Sequence, residues 1–158
     1  MRTKTNHQLL FSADLNWMGD NKAIISSQLI KPSICITAPP EFGGEGTEWS
    51  PEHLFLSSIS SCFMLTFLVF AKKINFEISD FECATTGQVE MIDGKYKFTY
   101  IHIYPKAFVA NEADIEKAQL AMEKAKKYCL ISNSINAEIV QHPEVAIAKQ
   151  HAVINSAA

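Results

Sequence analysis

WSPEHLFLSSISSCFMLTFLVFAKK, residues Trp49 to Lys73, decides the fold, because it holds the longest uncharged run of the chain with one cysteine, Cys62, at its centre. Ser50 suits an N-cap and Pro51 the first helical position, where a missing N–H costs nothing. Lys72 and Lys73 close the segment with the sign that a helix C-terminus favours. No charge falls between His53 and Ala71, so the helix is expected to be buried on most sides. The hydroxyls of Ser57, Ser58, Ser60, Ser61 and Thr66, and the lack of a second such run, argue against a membrane span. The four serines are small enough to admit a close neighbour, and a second helix, a symmetry mate included, is the natural partner. A cysteine in an apolar helix is most often an inert core residue. What points to chemistry is Glu52, which precedes Cys62 by ten residues, less than a quarter-turn away around the axis and about 15 Å along it. The two can border one cavity without touching.

The length, 158 residues, fits one domain over 1–158 with a true core, and 47% hydrophobic and 20% charged residues describe a soluble globular protein. A net charge of −3 gives no general attraction to phosphate, which excludes nucleic acid as an expected partner. The basic start MRTKTNHQLLFSADLNW has no apolar core of signal-peptide length, because Asp14 and polar residues interrupt it, so a cytoplasmic location is expected. Cys35, Cys62, Cys83 and Cys129 form no C-x-x-C pair and no zinc-like spacing with the histidines. In a reducing compartment such thiols are free or redox-active rather than a disulfide framework.

The flanking segments complete an α+β pattern. Leu9 to Trp17, Ala23 to Ile30 and Ser33 to Thr37 read as a three-stranded antiparallel meander broken at Gly19-Asp20-Asn21 and at Lys31-Pro32, with Cys35 a small residue of the third strand. Ala38 to Glu48, rich in proline, glycine and acid, is a loop that feeds the helix and can form one wall of a pocket or a plain linker. Phe76 to Met91 and Lys95 to Tyr104 flank Asp93-Gly94, a strong hairpin signal, and Cys83 lies in the first of the two. Strict alternation puts Tyr96, Phe98, Tyr100, His102 and Tyr104 on one face, a packing surface rather than a binding platform. Asn111 is expected to cap a second helix that runs to Lys127, with Ile115, Ala118, Met122, Ala125 and Cys129 as its buried stripe. Ser132 to Asn136 turns the chain, Ala137 to Gln141 is a last strand, and Glu144 to Ala158 is a short terminal helix or a loosely ordered tail. The order β-β-β-α-β-β-α-β indicates antiparallel sheets around a long buried central helix.

PPEFGG, WSPEHLFLSSISSCFMLTF and KKYCLISNSINAEI resemble, in order and spacing, the OsmC/Ohr family of thiol-dependent peroxidases, over about Asn16 to Val140. The resemblance implies an intertwined homodimer with the two cysteine helices at its centre. It implies that Cys62 is the peroxidatic residue, that Glu52 belongs to the active site, and that Cys129 resolves the intermediate. Cys62 would attack an organic hydroperoxide, releasing an alcohol and becoming a sulfenic acid. Cys129 would condense with it to a disulfide, and a dithiol partner of lipoyl or thioredoxin-like type would reduce that bond. Apolar residues, Phe55, Phe63 and Phe42 among them, would form the substrate pocket. No metal or organic cofactor is implied.

The chain departs from the family at one position. The family stabilises its thiolate with an arginine from the N-terminal strands, and Arg2 is the only arginine here. Lys22 or Lys31 are the candidate substitutes, though a lysine cannot make the planar two-point contact to a carboxylate. The alternative function that follows is a redox sensor or a protein that binds an apolar small molecule without peroxidase turnover.

Overall fold

A computed structural model describes residues 9–28 and 30–148. The chain divides between Leu54 and Phe55 into two compact units. The first is an antiparallel meander of β1 (Asp14–Gly19), β2 (Lys22–Ser27) and β3 (Ile30–Thr37), followed by the loop to Ser50. The first turn lies where expected, with Gly19 and Asp20 at positive φ and Trp17 Nε1 donating to the Asp20 carbonyl at 3.0 Å. The strand expected from Leu9 begins only at Asp14. The ladder with β2 ends at Asp14 opposite Ser26, and beyond it the Ser12 carbonyl accepts from the Ser27 hydroxyl at 3.0 Å. Lys31-Pro32 lies inside β3 rather than between strands; β3 is an edge strand, where a residue without an N–H is tolerated.

α1 runs from Pro51 to Ile74. Ser50 caps it as expected: the His53 amide donates to the Ser50 hydroxyl at 3.3 Å, while the Ser50 amide donates to His53 Nδ1 at 3.3 Å. Ser58, Ser60 and Ser61 donate to carbonyls of their own helix, which lets polar side chains sit in an apolar segment. Burial is narrower than expected. Ile59, Phe63, Phe67 and Ala71, spaced by four, are buried, whereas Leu65 and Val69 are 58% and 51% exposed. Among the described residues α1 is the one helix long and apolar enough to cross a membrane, and its buried stripe is part of the second unit's core.

That core lies beneath a hairpin of β4 (Ile78–Ile92) and β5 (Lys95–Val109), joined by Asp93-Gly94 with both residues at positive φ, as a tight two-residue turn needs. The aromatic stripe expected on β5 is split. A bulge shifts the register between Gln88 and Val89, so that Val89 pairs with Phe98 while Gln88 pairs with Tyr100. Phe98 therefore packs inward on Phe55, with ring centroids 4.9 Å apart, whereas Tyr100 and Tyr104 face out and Ile101 and Ile103 are fully buried. Gly87 makes room for this packing, since a Cβ there would meet Phe98 Cε1 at 2.6 Å and Leu56 Cδ2 at 2.9 Å.

β5 continues past Tyr104 to Val109, with Pro105 opposite the break between two short strands, β6 (Glu138–Gln141) and β7 (Glu144–Ile147), that pair with β5 in parallel. The segment expected as a tail thus starts as a strand, and its residues from 149 onward lie outside those described. α2 (Ile115–Tyr128) follows a 3-10 turn at Glu112–Asp114, so Asn111 starts the turn and not the helix. Asp114 takes the N-cap position of α2, and its carboxylate accepts from Lys117 at 2.6 Å. Ala118, Met122, Ala125 and Cys129 form the buried stripe as expected. The architecture is α+β in the expected order, with one strand more.

Phe67 of the stripe is fully buried, with Phe81 and Phe76 rings at 5.2 and 6.2 Å. Phe67→Ala is expected to lower the unfolding free energy by about 3–5 kcal/mol in urea denaturation. An unchanged midpoint would contradict this account of the core.

Candidate functional site

α1 sets the position of Cys62. It lies between the fully buried Ile59 and Phe63, on the flank of the core stripe, and is half-buried with a free thiol. Cys129 reaches the same place from α2. Its amide donates to the Ala125 carbonyl at 2.9 Å, after which the backbone leaves the helix, at φ −61 and ψ 114. Beside it the Tyr128 ring stacks on Phe70 of α1, centroids 5.5 Å apart, and fastens the end of α2 to α1. Cys129 has no exposed surface, its thiol is free, and the Cys62 thiol neighbours it.

Ser132 completes this arrangement, and nothing but its place three residues after Cys129 marked it in the sequence. Its hydroxyl donates to Cys129 Sγ at 3.1 Å, and its amide hydrogen-bonds the same sulfur. Burial pushes the Cys129 thiol above its ordinary value, the two Ser132 donors pull it back, and the neighbouring Cys62 thiol adds to the rise. Two adjacent thiols, one half-open and one enclosed, can cycle between dithiol and disulfide. The other cysteines stand apart from this pair: Cys35 is exposed on β3, and Cys83 on β4 directs its thiol to the Ala84 carbonyl at 3.8 Å.

Glu52 belongs to the first unit, where a pocket of about 370 Å³ is lined by Trp17, Lys22, Ile36, Phe42, Pro51 and Glu52 among others. Glu52 Oε2 is buried and has no hydrogen-bond partner among the described residues. Lys22 is committed elsewhere: Nζ lies 3.1 Å from Glu45 Oε2 on an exposed pair, and the hydrogen bond and charge of Glu45 hold the ammonium above its ordinary value. Lys31 lies on β3 several residues before the pocket's Ile36 and does not line it. Of the aromatic residues expected at a substrate pocket, Phe42 lines this one, Phe55 packs on Phe98, and Phe63 is wholly enclosed in the core. Trp17 is a wall that the sequence did not single out. Among the described residues no group of three or more histidine, cysteine or acidic side chains could hold a metal ion.

Residues 44–142, which include Glu52, Cys62 and Cys129, match the family described as OsmC-like protein. The chain belongs to the OsmC-like family. It is 21% identical over 140 residues to the uncharacterized protein YmaD of Bacillus subtilis (strain 168), covering 87% of this chain and 93% of that one. It is 36% identical over 102 residues to the uncharacterized protein MJ0573 of Methanocaldococcus jannaschii, covering 61% of this chain and 51% of that one. The OsmC-like protein VCA0330 of Vibrio cholerae superposes with a TM-score of 0.78 at 19% identity, over 86% of this chain and 99% of that one. An organic hydroperoxide resistance protein of Elizabethkingia anophelis gives 0.69 at 19% identity, over 90% and 100%. At these identities the structural likeness establishes an OsmC-like fold.

Burial raises the Cys129 and Cys83 thiols in the folded protein, so the unfolded chain gives up these protons first as pH rises. Their contribution to stability is complete at neutral pH and is lost as pH climbs through the folded-state values. Unfolding free energy is expected to fall between about pH 8 and pH 10, and to fall less in the Cys83→Ala, Cys129→Ala double variant. Equal slopes in urea titrations of the two proteins would contradict this.

Proposed function

We propose that this OsmC-like protein reduces organic hydroperoxides to alcohols through Cys62 and Cys129. The observation that carries the reading is the meeting of two free thiols, distant in sequence, at the junction of α1 and α2. The Cys62 thiolate attacks the terminal peroxide oxygen, the O–O bond breaks, and the alkoxide leaves as alcohol after taking a proton. The resulting sulfenic acid is attacked by the Cys129 thiolate, which forms the disulfide and expels hydroxide, protonated to water. A dithiol of lipoyl or thioredoxin-like type returns the pair to thiols. Glu52 is kept in this reading as an active-site residue on the family likeness, ten residues before Cys62 on α1. Lys22 or Lys31 is the candidate stabilising cation, and of the two Lys22 lines the Glu52 pocket while paired with Glu45. Of the three aromatic residues expected to favour organic over hydrogen peroxide, Phe42 is the one that lines a pocket, and it supports that preference.

The working form in this reading is one OsmC-like domain per chain, paired as an intertwined homodimer in the cytoplasm. The exposed Leu65 and Val69 of α1 support the pairing, as two large apolar groups on an otherwise uncharged helix. The similar fold of the Elizabethkingia anophelis organic hydroperoxide resistance protein supports the chemistry. A second reading, redox sensing or apolar-ligand binding without turnover, is favoured by one observation: among the described residues Glu52 Oε2 has no donor, while Lys22 is paired with Glu45.

One equivalent of cumene hydroperoxide is expected to give a Cys62–Cys129 disulfide by mass spectrometry, and a dithiol is expected to sustain turnover. Cys62→Ser abolishes consumption, while Cys129→Ser stops at a sulfenic acid that a carbon nucleophile traps on Cys62. Equal consumption by Cys62→Ser would remove the proposal, and a disulfide formed without turnover would favour the second reading.

A further inference from the structure

We infer that Ser132 is a positioning residue that makes Cys129 the leaving sulfur when the Cys62–Cys129 disulfide is reduced. The inference rests on the proposed disulfide and adds a direction to its reduction. Cys129 has no exposed surface and Cys62 is half-buried, so an external thiolate reaches Cys62 Sγ and not its partner. A bond forms from the reductant's sulfur to Cys62 Sγ as the Sγ–Sγ bond breaks, and the electron pair of that bond departs on Cys129 Sγ. The reductant's second thiol, after losing its proton, attacks the reductant sulfur of the mixed disulfide and releases Cys62 as thiolate. The reductant leaves as a disulfide, and the protein has taken up two electrons and, on protonation, two protons.

The costly moment is the appearance of negative charge on a sulfur with no access to water. Ser132 meets that charge with two donors, its hydroxyl at 3.1 Å and its own amide. Both come from the 3-10 turn Ser132–Ser134, which the Asn133 amide ties back to the Cys129 carbonyl at 3.1 Å. The donors are therefore fixed before the charge develops. A thiol whose thiolate is stabilised also leaves faster in disulfide exchange. The same contact favours the Cys129 thiolate that attacks the Cys62 sulfenic acid on the forward path.

Two measurements test this. In the full chain carrying Cys35→Ser, Cys62→Ser and Cys83→Ser, Cys129 is the one remaining thiol, and its ionisation is followed by thiolate ultraviolet absorbance. Adding Ser132→Ala is expected to raise the midpoint by about one pH unit, the worth of one hydrogen bond to a charged group. Ser132→Thr keeps the midpoint and Ser132→Val, of the same shape without the hydroxyl, shifts it as alanine does. Equal midpoints for the threonine and valine variants would overturn the assignment whether or not the alanine variant folds. In the second measurement the wild-type disulfide is prepared with diamide and treated with a monothiol, and the mixed disulfide is expected on Cys62. An adduct on Cys129 would overturn the inference. Because diamide replaces hydroperoxide, failure of the peroxidase reading leaves both results interpretable.

Discussion

The thiol pair depends on one packing arrangement, the stripe of Ile59, Phe63, Phe67 and Ala71 that α1 presses into the core shared with β5 and α2. Each phenylalanine buried there stabilises the fold by about 1.5–3 kcal/mol, and close packing leaves the helix little freedom to rotate. Cys62, on the flank of that stripe, inherits its rigidity. α2 is docked by its own small stripe, whose alanines allow close approach, and by the Phe70–Tyr128 stack. Cys129 is consequently held where α2 ends. Neither cysteine chooses its position; both are carried there by residues with no chemistry of their own.

The split of the β5 aromatics follows from the same core. Strict alternation along the strand would leave Phe98 outside with the tyrosines, and the inner face short of a large side chain near the start of α1. The bulge opposite Gln88 and Val89 resolves this by turning Phe98 inward onto Phe55 across Gly87, while Ile101 and Ile103 keep the inner face beyond it. An unpaired residue in the ladder is offset by the burial of an aromatic ring.

This bulge also marks the limit of what the sequence discloses. Periodicity and caps gave both helices, the β4–β5 turn and the Ser50 cap, because each is encoded within a few neighbouring residues. Spacing and family likeness singled out Cys62, Cys129 and Glu52, and α2's stripe already aimed Cys129 inward, whereas Glu52 lines a pocket of the first unit. What escaped depends on partners distant in the chain: the inward turn of Phe98, the parallel docking of β6 and β7 on β5, and the contact of Ser132 with a sulfur. Ser132 reads as an ordinary turn residue until the fold encloses Cys129. Only then does a hydroxyl within hydrogen-bond distance become one of a few groups able to replace water.

Glu52 shows the opposite balance. A carboxylate oxygen buried without a donor costs at least about 1–3 kcal/mol, and such a cost persists in a fold where something repays it in use. Lys22 lines the same pocket, yet its ammonium is spent on Glu45 at an exposed position, where an ion pair holds its partners only weakly. The two carboxylates therefore do not compete equally: the exposed Glu45 can return to water when its cation leaves, whereas Glu52 Oε2 has no water to fall back on. An occupant that brings its own O–H donor relieves that oxygen without displacing Lys22 from Glu45. The apolar Trp17, Ile36 and Phe42 walls suit an apolar body on such an occupant.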